Sequence, residues 1–202
     1  MLPAKPEDKL KLLRRKKPRQ QRSIKLVEAV LQAAARVLED ETTPFTTNHI
    51  AQKAGISIGS LYQYFPSSDA IMASLIEAHV QEERETAQRV LQNTHKDKSD
   101  ILRELVITFV AAHSRTPVLT ARLHALAPAF GLQDYLDSSR NEQAALIAKY
   151  LGFTAQSVQM SAMAVEGVVL STLSNDYKRL SCPDFIEQLY AIALAPLEEV
   201  PV

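Results

Sequence analysis

Tryptophan is absent from this chain, cysteine occurs once, at Cys182, and only five of the 202 residues are glycine. A single cysteine excludes an intramolecular disulfide and any cysteine-rich zinc site, and it fits a reducing cytosol. Scarce glycine and missing tryptophan argue against a sheet-rich fold, whereas alanine and leucine are abundant, as in helical proteins. No apolar run approaches the roughly 20 residues that cross a bilayer. The basic N-terminus resembles the start of an export signal, but Lys25, Glu28, Gln32 and Arg36 interrupt the stretch where its apolar core would stand. Neither a membrane partner nor an export signal is expected.

Net charge is also lacking, since 23 basic residues balance 23 acidic ones. The balance hides an asymmetry. Residues 1–25 carry ten Lys or Arg against Glu7 and Asp8, which leaves thirteen basic and twenty-one acidic residues for the rest. Such an arm is either a solvated tail or a phosphate-backbone contact; Arg14, Arg15, Lys16, Lys17, Arg19 and Arg22 are its candidates.

The segment behind the arm favours the second reading. In Thr46–Phe65, TTNHIAQKAGISIGSLYQYF, Thr46 has the side chain of a helix cap, and Phe45 and Ile50 stand where a hydrophobic staple closes. Gly55 follows the helix at the position that needs a left-handed backbone. Ser57 caps a second helix, whose Leu61 and Phe65 point inward. This is a helix-turn-helix, with a second helix of the size that enters a major groove. Thr46, Thr47, Ser57 and Ser60 offer hydroxyls to phosphates, and Gly59 allows close approach to bases. Asn48 and Gln63 are the side chains able to pair with adenine. Tyr62 and Tyr64 serve different groups; for Tyr62 the alternative is a surface aromatic packed on the neighbouring helix.

The run AGISIGSLYQYF resembles the DNA-binding motif of the TetR family of bacterial repressors, and the likeness is strong from about Arg22 to Ile76. It places Asn48, Gly59, Ser60, Tyr62 and Tyr64 at positions of base or backbone contact. Three departures stand out. Ile58 and Ser68 fall where the family often has lysine or another polar residue, and the usual glycine before the motif is missing from EDETTPF.

Helical periodicity continues to the C-terminus. Ser23 is expected to cap a helix to about Asp40, and Ser67 or Ser68 one to about Gln92 with Met72, Ile76, Val80, Glu83, Ala87 and Val90 along one side. Further helices are expected from Ser99, from Pro117 to before Pro128, over Leu132–Tyr150, from Thr154 to about Leu173, and from Pro183 to about Ala195. The fold class is all-α, about nine helices. The expected division is a basic arm at 1–21, a three-helix DNA-binding domain at 22–67, and a helical domain for effector binding and dimerisation at 68–202. The last two helices are apolar around much of their circumference, which fits either burial inside one chain or a C2 interface. Interface candidates are Ala164, Gly167, Val168, Ser171, Phe185, Leu189 and Ile192. The resemblance implies a dimer bundle of these helices, and a small-molecule pocket. Phe109, Phe130, Tyr135, Met160 and Met163 are its candidate lining, with His113, Arg115, His124 and Glu166 as polar anchors; plain core packing is the alternative for each.

Two decoys are set aside. Gly55-Ile-Ser-Ile-Gly59 satisfies the nucleophile pattern of α/β-hydrolases, but a helix precedes it where that chemistry needs a strand. His49, His79, His95, His113 and His124 form no i,i+4 pair and no Cys/His cluster, so no metal or other cofactor is expected. The chain thus resembles a cytoplasmic, homodimeric, non-enzymatic repressor that binds a palindromic operator in double-stranded DNA and is released by a small molecule. The alternative is a helical sensor whose specific DNA binding is weak or lost.

Overall fold

The computed structural model describes residues 20–92 and 97–198, so the arm candidates from Arg14 to Arg19, and His95, lie outside the described residues. Nine α-helices occur among the described residues, without a strand. They are α1 (Gln21–Glu39), α2 (Thr47–Ala54), α3 (Ile58–Tyr62), α4 (Ser68–Leu91), α5 (Lys98–Arg115), α6 (Pro117–Leu126), α7 (Gln133–Leu151), α8 (Ala155–Asp176) and α9 (Pro183–Leu194). A 3-10 turn, Tyr177–Ser181, joins α8 to α9. No described helix is long and apolar enough to cross a membrane.

The described chain forms two compact units. The first holds the residues up to His79 together with Arg122–Tyr135; the second holds Val80–Ala121 and the residues from Leu136 onward. The division therefore falls inside α4, twelve residues beyond the expected boundary, and the first unit is discontinuous in sequence.

In the first unit α1 buries Val30, Ala33, Ala34, Val37 and Leu38 and packs on α2. Its start differs from expectation. Ser23 is not the cap but sits three residues after Gln20, where its hydroxyl accepts from the Gln20 N–H at 3.2 Å and donates to the Gln20 carbonyl at 2.7 Å. Ser67 caps α4, accepting from the Ala70 N–H at 3.3 Å.

Among the described residues, the second unit holds three clusters of buried apolar side chains. Val106 and Val110 of α5 meet Val165, Val169 and Leu173 of α8, Leu180, and Phe185, Leu189 and Ala193 of α9. Ala87, Val90 and Leu91 of α4 meet Ile101 and Leu105 of α5 and Leu151 of α7. Ala144 and Ala148 of α7 pack on Val158 of α8. Asp97, not Ser99, caps α5, accepting from the Asp100 N–H at 2.8 Å. Ser99 instead meets the Tyr190 hydroxyl at 2.7 Å. Within the interior, Ser161 donates to the Ala193 carbonyl at 2.7 Å, so a buried hydroxyl ties α8 to α9 without an unmet polar group.

Candidate nucleic-acid interface

The approach to the motif is made by an acid instead of the missing glycine. Asp40 accepts from the Thr42 hydroxyl at 2.7 Å, the Thr43 hydroxyl at 2.7 Å and the Thr42 N–H at 3.0 Å. Hydrogen bonds from the Thr42 and Thr43 hydroxyls, then from the Thr42 backbone, hold its carboxyl down at about 2. No described residue other than glycine has a positive φ, so this turn needs no left-handed position.

Thr46 then caps α2, accepting from the His49 N–H at 3.3 Å. Ile50 and Ala51 are buried. Phe45 is half-buried, its ring edge-on to Phe130 with centroids 6.1 Å apart. Gly55 ends α2 at φ 68°, its N–H donating to the α2 carbonyls, and a β-carbon there would meet nothing within 4 Å. Only the backbone conformation demands glycine.

Ser57 caps α3. Its oxygen accepts from the Ser60 N–H at 3.1 Å and lies 2.8 Å from the Ser60 hydroxyl. Both serines are thus engaged in setting the helix start, and a helix, not a strand, precedes Ser57. The α-helical span is shorter than expected and stops at Tyr62. Gln63 caps it, and the Tyr64 and Phe65 N–H groups reach back to the Leu61 carbonyl at 3.0 Å each. Gln63 and Tyr64 are therefore turn residues. Leu61 (0% exposed) and Phe65 (2%) anchor the segment. Ile58, Gly59, Tyr62 and Gln63 are exposed, with Asn48, Thr46 and Ser57, while Thr47, Ser60 and Tyr64 are half-buried. The Tyr62 hydroxyl lies 3.1 Å from the Thr47 hydroxyl. That contact holds the exposed edge of α3 to the first residue of α2. Arg22 stands in the first turn of α1, exposed.

The expected pocket residues do not form one group. Phe109, His113, Met160, Met163 and Glu166 belong to the second unit, but His124, Phe130 and Tyr135 belong to the first. Phe130 packs on Phe45 in the approach to the motif, which corrects its assignment to the pocket. Met160 (55% exposed) and Met163 (53%) face outward, a second correction. They stand three apart on α8, opposite the buried line Val158, Val165 and Val169. Arg115 pairs with Glu82 at 2.6 Å on the surface.

What the second unit does bring together is a partly buried set of charges. Glu166 binds Arg140 through both oxygens, with the Nη2 contact at 2.8 Å, and Arg140 also reaches Asp137 at 2.7 Å. The hydrogen bonds it donates to Glu166, then the charge of Glu166, push the guanidinium pKa upward. Nearby, the His113 ring is fully buried at 4.0 Å from the Phe109 ring. Its Nδ1 lies 2.9 Å from the Phe109 carbonyl, which only accepts, so Nδ1 carries the proton. Nε2 faces Glu83 Oε1 at 3.2 Å, and two acceptors cannot share that distance without a proton between them. Burial, followed by the charge of Glu166, raises the Glu83 carboxyl to about 8, with Arg140 acting against the shift. A protonated Glu83 donating to His113 satisfies both groups. Sequence reading found Glu83 only as a break in an apolar stripe.

The interface candidates also separate. Gly167 and Ser171 are exposed on the same outer face of α8 as the two methionines, and Ala164 and Val168 are half-buried. Ile192 packs on the core cluster from its edge. Phe185 and Leu189 are core residues of their own chain, which corrects their assignment to the interface. Their four-residue spacing places both on the face that α9 turns inward.

This arrangement defines a helical protein with one unit that carries a helix-turn-helix and a second helical unit. Residues 30–75 match the family of bacterial regulatory proteins of tetR type. The nucleoid occlusion factor SlmA of Salmonella typhi is 35% identical over 103 residues, 49% of this chain and 52% of that protein. SlmA of Escherichia coli O9:H4 is 34% identical over the same length. The chain thus spans about half the length of these relatives. Among solved structures, a transcriptional regulator from Rhodococcus sp. Rha1 superposes with a TM-score of 0.69 at 17% identity, over 87% of this chain and 99% of the other. SmeT, the repressor of the Stenotrophomonas maltophilia multidrug efflux pump SmeDEF, gives 0.65 at 17% identity, over 87% and 97%. At such identity the likeness is one of fold. With the motif match over residues 30–75, the chain carries a tetR-type DNA-binding motif within a fold like that of these regulators.

Proposed function

We propose that this regulator reads a palindromic operator as a homodimer through the exposed edge of residues 46–64, represses transcription there, and lets go when a small molecule binds its second unit. The observation that carries the reading is the division of α3 and its turn between two faces. Leu61 and Phe65 are sealed in the core while Ile58, Gly59, Tyr62 and Gln63 are offered outward. Asn48 and Gln63 supply donor–acceptor pairs for adenine, Ile58 an apolar contact for a thymine methyl, and the hydroxyls of Thr46, Thr47 and Tyr62 reach phosphates. Two copies of this edge must lie one helical turn apart, roughly 34–36 Å, to occupy successive half-sites. The exposed face of α8, with Met160, Met163, Gly167 and Ser171, supports a self-complementary interface. Helix α4 spans the division between the units, which supports a ligand signal that passes along it. Switching from mostly bound to mostly released takes about 5.5 kcal/mol of differential ligand affinity.

Selection of bound sequences from a random duplex pool tests the reading, followed by anisotropy titrations at several salt concentrations. One palindrome should emerge, and Gln63→Ala should weaken binding to it about tenfold or more, relaxing the preference at one base pair per half-site. A pool that yields no preferred sequence, with association that vanishes at moderate salt, would leave the chain as a helical sensor without an operator.

A further inference from the structure

The histidines look scattered in sequence, yet the fold of the first unit places two of them face to face. His79 of α4 and His124 of α6, 45 positions apart, present their Nε2 atoms to each other at 3.2 Å. The ring centroids are 5.3 Å apart and the ring planes nearly perpendicular, at 88°. The nitrogens are thus much closer than the rings, so both imidazoles aim their nitrogen edges at one point. Both side chains are half-buried.

Two chemistries keep a pair of imidazole nitrogens at this distance. In one, a single proton is shared, one Nε2–H donating to the lone pair of the other. In the other, a cation takes the place of that proton and both rings are neutral ligands. A tetrahedral zinc ion with bonds of about 2.0–2.1 Å holds two imidazole nitrogens about 3.3 Å apart. The observed separation needs almost no movement to accept it. We propose that His79 and His124 are two ligands of an exchangeable, zinc-type divalent metal site in the DNA-reading unit. Imidazole donors favour zinc, nickel or copper over magnesium or calcium. Both nitrogens must be deprotonated, so uptake fails in acid.

The position of the pair gives the ion something to act on. The segment that carries His124 continues to Phe130, whose ring meets Phe45 in the approach to the motif. From the same segment Arg122 reaches Glu41 at 3.5 Å. An ion held by His79 and His124 would therefore fasten α4 to the segment that braces the residue next to the α2 cap. The site stands apart from the operator reading proposed above, and its failure would leave that reading untouched.

The experiment uses the full chain, freed of metal with EDTA and titrated with CoCl2 at about pH 7.5. A visible ligand-field absorption should grow to saturation at one cobalt per chain, disappear when ZnCl2 is added, and be lost in His79→Gln and in His124→Gln. Saturating ZnCl2 should also raise the melting temperature of the parent, reversibly with EDTA, and leave both variants unmoved. A pair that only shares a proton would lower the melting temperature of the variants equally with zinc or EDTA, and that result overturns the site. So does a parent that develops no absorption, or one whose absorption persists unchanged at about pH 5. These last two outcomes are read on the parent alone and hold even if the variants fold poorly.

Discussion

Glu83 and His113 hold one proton between them inside the second unit, and that proton should be visible in the pH dependence of folding. The carboxyl is raised from its ordinary 4.5 to about 8. The folded state therefore keeps a proton that the unfolded chain releases across that interval. Its stabilising contribution is complete below 4.5 and is lost as pH climbs through 8. Glu83→Gln, always neutral, removes this dependence. Urea unfolding of the variant and the parent should diverge in the variant's favour from about pH 5 to about pH 8, by no more than on the order of 1.4 kcal/mol per unit. Parallel curves would mean that Glu83 titrates as an ordinary carboxylate. Single residues differ in how far sequence reveals them. Leu61 and Phe65 declare themselves by their spacing, because helical period alone turns them inward. The partners of Glu83 and His79 are set by tertiary packing, which no local pattern encodes.

At the scale of elements, local chemistry explains most of what was legible. Thr46, Gly55, Ser57, Gly152 and Pro183 mark helix ends through side-chain oxygen, left-handed backbone or missing N–H, and each does so in the fold. The start of α1 misled because Ser23 can cap from either side, and here it works from the third helical position. Length was the harder quantity. Periodicity extended α3 to Phe65, but the chain leaves the helix at Gln63 so that Phe65 can still be buried. Gly55→Ala isolates the backbone term of the turn, since its new methyl would meet no neighbour within 4 Å. The expected loss is about 1–2 kcal/mol, the cost of a β-carbon in the left-handed region. Chemical denaturation measures it, and a neutral substitution would show that the turn relaxes out of φ 68°.

For the whole molecule, the proposed homodimer makes the outer face of α8 the surface to test for assembly. Met160 and Met163 are each more than half exposed. Replacing both by glutamate should change the stability of the isolated chain by no more than about 0.5 kcal/mol each, while converting the dimer to monomer in sedimentation experiments. Operator affinity should fall with it, because a monomer meets only one half-site. A dimer that survives the double substitution would place the interface elsewhere. Periodicity showed that the last two helices were apolar on several sides, yet it did not tell inner from outer faces. That distinction depends on which side α5 covers, and it sent Phe185 and Leu189 inward.

The discontinuity of the first unit carries a consequence for how this protein comes into being. Its head draws on Arg122–Tyr135 as well as on the residues up to His79. A ribosome that has finished the helix-turn-helix has therefore not finished the head, and the intervening forty-odd residues must be synthesised first. Nascent chains are in this way kept from holding a complete reading unit until Tyr135 has been made, and a fragment cut at the end of the motif would lack a part of its own support.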